Sequence, residues 1–163
     1  MRPIPTSRSI SAEDHPTKPS ILLADDDAAF RKALEKFLGP HYTIAGSVGD
    51  GLALVEAARV FDPDLIIADI SMPVLNGIQA VRQIMSSQPN ARVIFLTVHE
   101  EPAFVLESQK TGALGYLLKR SLTDQLMPAI REVLHGDPFV CPECAITPAL
   151  RADLHELLEN DSL

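Results

Sequence analysis

An α/β fold with a doubly wound parallel sheet is predicted by three observations. Four short apolar runs, Ile21-Leu22-Leu23-Ala24, Leu65-Ile66-Ile67-Ala68, Val93-Ile94-Phe95-Leu96 and Gly115-Tyr116-Leu117-Leu118, show no alternation and read as strands buried on both faces. The stretches between them carry apolar residues at helical spacing. A polar residue stands directly behind each run: Asp25-Asp26, Asp69, Thr97 and Lys119. Ligands of an open α/β sheet bind beyond the carboxyl ends of its strands, so all four groups aim at one edge.

Each element has its own warrant. Residues 1–19 hold Pro3, Pro5, Pro16 and Pro19 among Ser and Thr, with little to bury, and read as a flexible leader. The first strand is 21–24. The first helix carries Phe30, Ala33, Leu34, Phe37 and Leu38 and stops at Gly39-Pro40. A second strand at 42–45 precedes a helix over 51–59, with Leu52, Val55 and Ala58 or Arg59 setting its faces. The third strand is 65–68. Asn76 is the N-cap of a third helix with Ile78, Val81 and Met85 inward. The fourth strand is 92–96, and the helix over 102–110 stops at Gly112. The fifth strand is 115–118. Ser121 and Asp124 have capping-box spacing before a fifth helix, with Leu126, Ile130, Val133 and Leu134 buried and Pro128 inside. Beyond His135-Gly136-Asp137-Pro138 the alternation breaks. A short amphipathic segment at 149–159 presents Leu150, Leu154, Leu157 and Leu158 on one face.

A net charge of −8 opposes a broad nucleic-acid footprint. No apolar run is long enough to cross a bilayer, and the first residues lack the core of a signal peptide, so the expected location is cytoplasmic. The only cysteines, Cys141 and Cys144, are too few for a structural zinc site. They read as ordinary residues of a connecting segment. A redox pair is the alternative, although the pair does not open a helix after a strand as a thioredoxin-type site does.

Asp25, Asp26 and Asp69 repel one another when brought together, which raises pKa values or demands a cation. A hard, oxygen-loving ion such as Mg²⁺ relieves the repulsion and also neutralises a phosphoryl group. A carboxylate is a competent nucleophile for an aspartyl phosphate. Lys119 offers a compact cation, and Thr97 a hydroxyl that can turn toward a new anion. His99, close behind Thr97, reads as a solvated loop histidine without a role.

In this order and spacing, Ile-Leu-Leu-Ala-Asp-Asp-Asp at 21–27, Asp-Ile-Ser-Met-Pro-Val-Leu-Asn-Gly at 69–77, Phe-Leu-Thr at 95–97 and Gly-Tyr-Leu-Leu-Lys at 115–119 resemble a response-regulator receiver domain of two-component signalling. The wording is closest to the branch that carries a LuxR-type helix-turn-helix, the NarL and FixJ type. The resemblance implies a flavodoxin-like five-stranded sheet in the order 2-1-3-4-5 over residues 20–136. It implies that Asp69 accepts a phosphoryl group from a sensor histidine kinase. Asp26 and Asp69 would ligate Mg²⁺ directly, Asp25 through water, and the Ser71 carbonyl would complete the protein ligands. Thr97 and Tyr116 match the switch pair, and Lys119 the phosphoryl-binding lysine. Two positions depart from the branch: Asp27 stands where His is common, and Arg120 follows Lys119 in place of Pro.

Residues 137–163 resemble a linker remnant followed by the first helix of a DNA-binding domain; a coincidental amphipathic helix is the other reading. From residue 141 onward there is one Arg and no Lys, against Glu143, Asp153, Glu156, Glu159 and Asp161. The expected output is therefore protein contact, including a homodimer through the fourth helix, fifth strand and fifth helix or through the C-terminal helix. Neither direct DNA binding by this chain alone nor a membrane partner is expected. The alternative is a LuxR-branch transcriptional regulator that is truncated or acts through a DNA-binding partner. An aspartyl-phosphate phosphatase or mutase needs a second aspartate two residues behind the nucleophile, where Ser71 stands. A flavodoxin-like binding module needs a phosphate cradle after the first strand, where three aspartates stand.

Overall fold

The computed structural model describes residues 17–144 and 148–160. Along the chain run β1 (Ser20–Ala24), α1 (Ala28–Leu38), β2 (Thr43–Val48), α2 (Gly51–Phe61), β3 (Leu65–Ala68), α3 (Gly77–Ser87), β4 (Val93–Thr97), α4 (Pro102–Lys110), β5 (Gly115–Leu118) and α5 (Leu122–Leu134). β6 (Phe139–Val140) and α6 (Pro148–Asn160) follow. The sheet is parallel throughout, in the order β2-β1-β3-β4-β5-β6. The expected order is thus present, with a sixth strand added beside β5. Two residues are too few to show a period. Pairing with β5 makes this segment a strand, with the Phe139 N–H donating to the Leu114 carbonyl and the Cys141 N–H to the Tyr116 carbonyl, both at 2.9 Å.

β1, β3, β4 and β5 are buried along nearly their whole length, as unbroken apolar runs demand. The helices fill both faces. α1 buries Leu34 and Leu38, while Phe37 keeps 37% of its surface exposed. α2 runs on to Phe61; of the residues expected to set its faces, Ala58 is buried and Val55 packs against the core, while Leu52 does not. Gly51, Leu54, Ala57 and Ala58 are buried, and Leu52 is 58% exposed. The helix is apolar nearly all round, so its period alone does not select a face. No helix among the described residues is long and apolar enough to cross a membrane.

The helix ends carry the chemistry of the turns. Asn76 caps α3 in a full capping box, its side chain accepting from the Gln79 amide while the Gln79 side chain accepts from the Asn76 amide. The corresponding box at Ser121 does not form. Ser121 closes a 3-10 turn, Lys119–Ser121, its backbone is not extended, and its side chain caps no amide of α5. The hydroxyl points to Glu143 instead, at 3.4 Å.

Residues 1–16 of the expected leader lie outside the described residues. In the expected C-terminal stripe, the side chains of Leu150, Leu154 and Leu158 also lie outside them, and Leu157 is 62% exposed. α6 lies against α4.

Gly77 is where the fold leaves no room beneath the end of β3. Its N–H donates to the Ile70 carbonyl at 2.7 Å, and a Cβ there would overlap the Asp69 carbonyl oxygen. Gly77→Ala is expected to cost about 2 kcal/mol by overpacking, read as a lower urea midpoint. An unchanged midpoint would mean that the loop yields freely.

Candidate functional site

The carboxyl ends of β1, β3 and β5 deliver Asp25, Asp69 and Lys119 to one place, because each follows its strand directly and the three strands lie side by side with β4. Asp25 and Asp69 are 2% and 5% exposed. The Lys119 ammonium reaches Asp25 Oδ2 at 2.6 Å and Asp69 Oδ2 at 3.0 Å. Its charge also sits 4.3 Å from the centre of the Phe30 ring on α1. Asp26 is exposed, yet one oxygen from each of Asp25, Asp26 and Asp69 lies within 4.8 Å of the others. Of the groups expected at this edge, the fold brings together the three carboxylates and the ammonium; the Thr97 hydroxyl is engaged with the His99 amide instead.

The backbone around the site is tied down. The Asp69 N–H donates to the Ala24 carbonyl at 2.9 Å, and the Asp25 N–H to Val48 at 3.1 Å. Asp69 Oδ1 accepts from the Ile70 amide at 2.7 Å. Arg31 clamps the end of β1, bonding to the Asp25 carbonyl and to the Ser47 hydroxyl. Asp27 is spent differently from its two neighbours. Its side chain caps α1 by accepting from the Ala29 and Phe30 amides. The acidic run therefore divides into two groups for the site and one for the helix.

The electrostatics follow from that packing. Burial holds the Asp25 carboxyl above its ordinary value. The Lys119 bond and the Asp27 amide oppose that rise, and the charge of Asp69 adds to it. Burial pulls Lys119 down, but its bonds to Asp25 and Asp69 together outweigh burial and hold it above the ordinary lysine value. A fixed cation thus offsets part of the mutual repulsion. The side-chain donors that the described residues offer a metal here are carboxylate oxygens, a hard set that suits Mg²⁺.

A second chain of contacts runs over β4. Thr97 closes that strand, fully buried, and its hydroxyl accepts from the His99 amide at 3.3 Å. Tyr116 is also buried, at 1% exposure, and its hydroxyl donates to the His99 carbonyl at 2.7 Å. Burial raises the Tyr116 pKa, and the charges of Glu101 and Asp69 add to it, so the phenol stays protonated. The His99 ring meets the Ser71 hydroxyl at 2.6 Å, lies 3.7 Å from Glu101 Oε2, and packs on Phe104 at 4.4 Å between ring centres. His99 is therefore a junction between the Asp69 loop, Thr97 and Tyr116, and the expectation of a solvated, idle histidine is corrected. Ser71 is too distant in sequence for its partnership with His99 to leave a local signal.

The cysteines also differ from expectation. Cys141 and Cys144 are joined in a disulfide. Both are buried, at 0% and 4% exposure, beside β5 and α5.

Comparison with known proteins agrees with this geometry. The family model described as the response regulator receiver domain matches residues 21–131. The chain is 32% identical to the transcriptional regulatory protein DegU of Brevibacillus brevis over 146 residues, covering 88% of this chain and 61% of DegU. It is 35% identical over 119 residues to the uncharacterized transcriptional regulatory protein YxjL of Bacillus subtilis (strain 168), covering 72% of this chain and 55% of YxjL. The chain thus spans less than two thirds of the length of either relative. Among solved structures, a two-component response regulator of the LuxR family from Aurantimonas sp. SI85-9A1 superposes with a TM-score of 0.73 at 26% identity, covering 88% of this chain and 99% of that one. With the family model matching most of the chain and the acidic edge in place, the chain belongs to the response regulator receiver domain family of two-component signalling.

Proposed function

We propose that this receiver domain takes a phosphoryl group on Asp69 from a sensor histidine kinase and converts the new charge into altered protein contacts. The observation that carries the reading is the convergence of Asp25, Asp26, Asp69 and Lys119 at one sheet edge. A carboxylate oxygen of Asp69 forms a bond to phosphorus while the bond from phosphorus to the donor imidazole breaks. Lys119 exchanges its bond to Asp69 for one to a phosphoryl oxygen, keeping the buried charge paired. Asp25, Asp26 and Asp69, with the Ser71 carbonyl, are the groups that would hold Mg²⁺. When bound, the ion supplies charge neutralisation for the phosphoryl oxygens. The domain acts as an acceptor with a slow loss of the phosphoryl group to water, and turns over no other substrate. The setting for this reading is the cytoplasm.

The switch runs through Thr97. A phosphoryl group on Asp69 offers its hydroxyl a charge-assisted bond, at the expense of the bond to the His99 amide. Tyr116 is already inside and needs no inward swing; it follows His99, whose carbonyl it holds. The face made by α4, β5 and α5 is where a homodimer or an output partner would read the change. Chemical shifts recorded with and without a phosphoryl mimic should change from the Asp69 loop through 103–126. Changes confined to the loop would end the switch reading.

Mg²⁺ should raise Tm by binding the folded state alone. Asp26→Ala, which removes an exposed carboxylate without a structural bond in the site, should abolish that rise while the chain stays folded. A full Mg²⁺ response in the variant would remove Asp26 from the ligand set.

The names of DegU and YxjL support a second reading, a transcriptional regulator. Sequence-specific retardation of DNA by this chain alone would favour it over protein contact. The net charge of −8 speaks for no such retardation.

A further inference from the structure

The pair Cys141 and Cys144 lies outside everything the acidic edge uses. We infer that it is a reversible dithiol–disulfide site, and that its redox state controls how firmly the segment after α5 holds to β5. The spacing is Cys-Pro-Glu-Cys, and these are the only two cysteines in the chain. The Cα atoms are 5.3 Å apart across a 3-10 turn, Pro142–Cys144, in which the Cys144 N–H donates to the Cys141 carbonyl at 2.9 Å. The backbone thus brings the two sulfurs together without help from the rest of the fold.

Two arguments favour a reversible site over a permanent staple. A disulfide across so short a loop constrains the unfolded chain little, so it contributes little as a staple. In the reducing cytoplasm that the proposed function assigns to this chain, a reading this inference rests on, disulfides are mostly transient or sensing. The location supplies a consequence. β6 is an edge strand of two residues, held by the amides of Phe139 and Cys141 to the carbonyls of Leu114 and Tyr116. Both sulfurs are packed in the core beside it, and Glu143, between them, meets Ser121 and Gln125 at the start of α5 at 3.4 and 3.3 Å. The bridged turn is therefore a clip on β5, the strand of Tyr116. So short an edge opens locally, which brings Cys144, the less buried of the two residues, within reach of a reagent.

The chemistry requires a dithiol reductant. Its thiolate attacks Cys144 sulfur, a mixed disulfide forms, and the Cys141–Cys144 bond breaks, releasing Cys141 as a thiolate that takes up a proton. The second thiol of the reductant then forms its own disulfide and releases Cys144, which is protonated in turn. Two electrons and two protons pass to the protein, and the reductant leaves oxidised. Reoxidation by a disulfide of the same class reverses each step.

The test uses the full chain, equilibrated in graded mixtures of reduced and oxidised dithiothreitol, acid-quenched, and labelled under denaturing conditions with a maleimide mass tag. The expected result is a single transition from two tags to none, absent in Cys141→Ser and Cys144→Ser, which carry one tag throughout. Two tags at every ratio, or none in native protein under excess dithiothreitol, would overturn the site. Hydrogen exchange reports the consequence: the Phe139 and Cys141 amides should exchange at least tenfold faster in the reduced chain. The chain with both cysteines replaced by serine should match the reduced wild type, which guards against a misfolded single variant. Equal exchange in the two redox states would overturn the clip.

Discussion

Asp69→Ala is expected to abolish phosphoryl uptake. Wild-type chain incubated with a small phosphodonor and Mg²⁺ should gain one phosphoryl group that is stable in acid and lost in base, as an acyl phosphate is. Mass spectrometry of the intact chain reads both. The variant should gain none, because Asp69 is the one carboxylate that sits behind β3, faces both Asp25 and Asp26, and is paired with Lys119. Asp69→Asn separates chemistry from packing. It keeps the shape and an oxygen to accept the Ile70 amide, so it should fold and still take up nothing. Labelling of Asp69→Ala to the wild-type level would falsify the assignment and point to Asp25 or Asp26.

Lys119→Met is expected to cost the metal-free chain about 3 kcal/mol, the low end for stripping a buried charge of its partner. The low end applies because the Lys119 side chain keeps 18% of its surface exposed and water screens part of its charge. Methionine keeps an apolar side chain of similar length and removes the ammonium, with its two ion pairs and its contact with the Phe30 ring. Two carboxylates at 3% and 6% side-chain exposure are then left facing each other. The loss should depend on pH with a definite sign. Asp25 already titrates above the ordinary 3.8. A carboxyl raised in the folded state contributes stability that is fully present below 3.8 and is lost as pH rises through its folded value. Without Lys119 that folded value climbs further. The gap between variant and wild type should therefore be wide at neutral pH and close as pH falls toward 3.8. Mg²⁺ at neutral pH should also narrow it, by binding the carboxylates in the folded state. Urea midpoints across pH, with and without Mg²⁺, measure all of this. A gap that stays constant with pH would show that Lys119 acts through packing alone.

Much of the site was legible because the fold class carries it. An apolar run followed by Asp25, Asp69 or Lys119 is at once a buried strand and the address of its last neighbour, since parallel strands share one carboxyl edge. Asn76 was legible as a cap for a similarly local reason. Failures came where two readings of a short pattern compete. Ser121 and Asp124 have capping-box spacing, yet a 3-10 turn rotates Ser121 away from the helix end toward Glu143. α2 is apolar on almost every side, and the packing against β1, β2 and α3 decided that Leu54 faces inward and Leu52 outward.

By itself, then, the sequence determined the alternating α/β chain, the meeting of three aspartates with a lysine, and the family these motifs resemble. Each rests on neighbours a few residues apart, or on a topology with few alternatives. Tertiary structure alone decided the rest. It placed Ser71 against His99 across 28 residues. It made a strand of Phe139 and Val140 through bonds to β5, and it set the two sulfurs beside that strand. Partners so far apart along the chain leave no local period or spacing, because what joins them is the packing of elements whose order in space differs from their order in sequence.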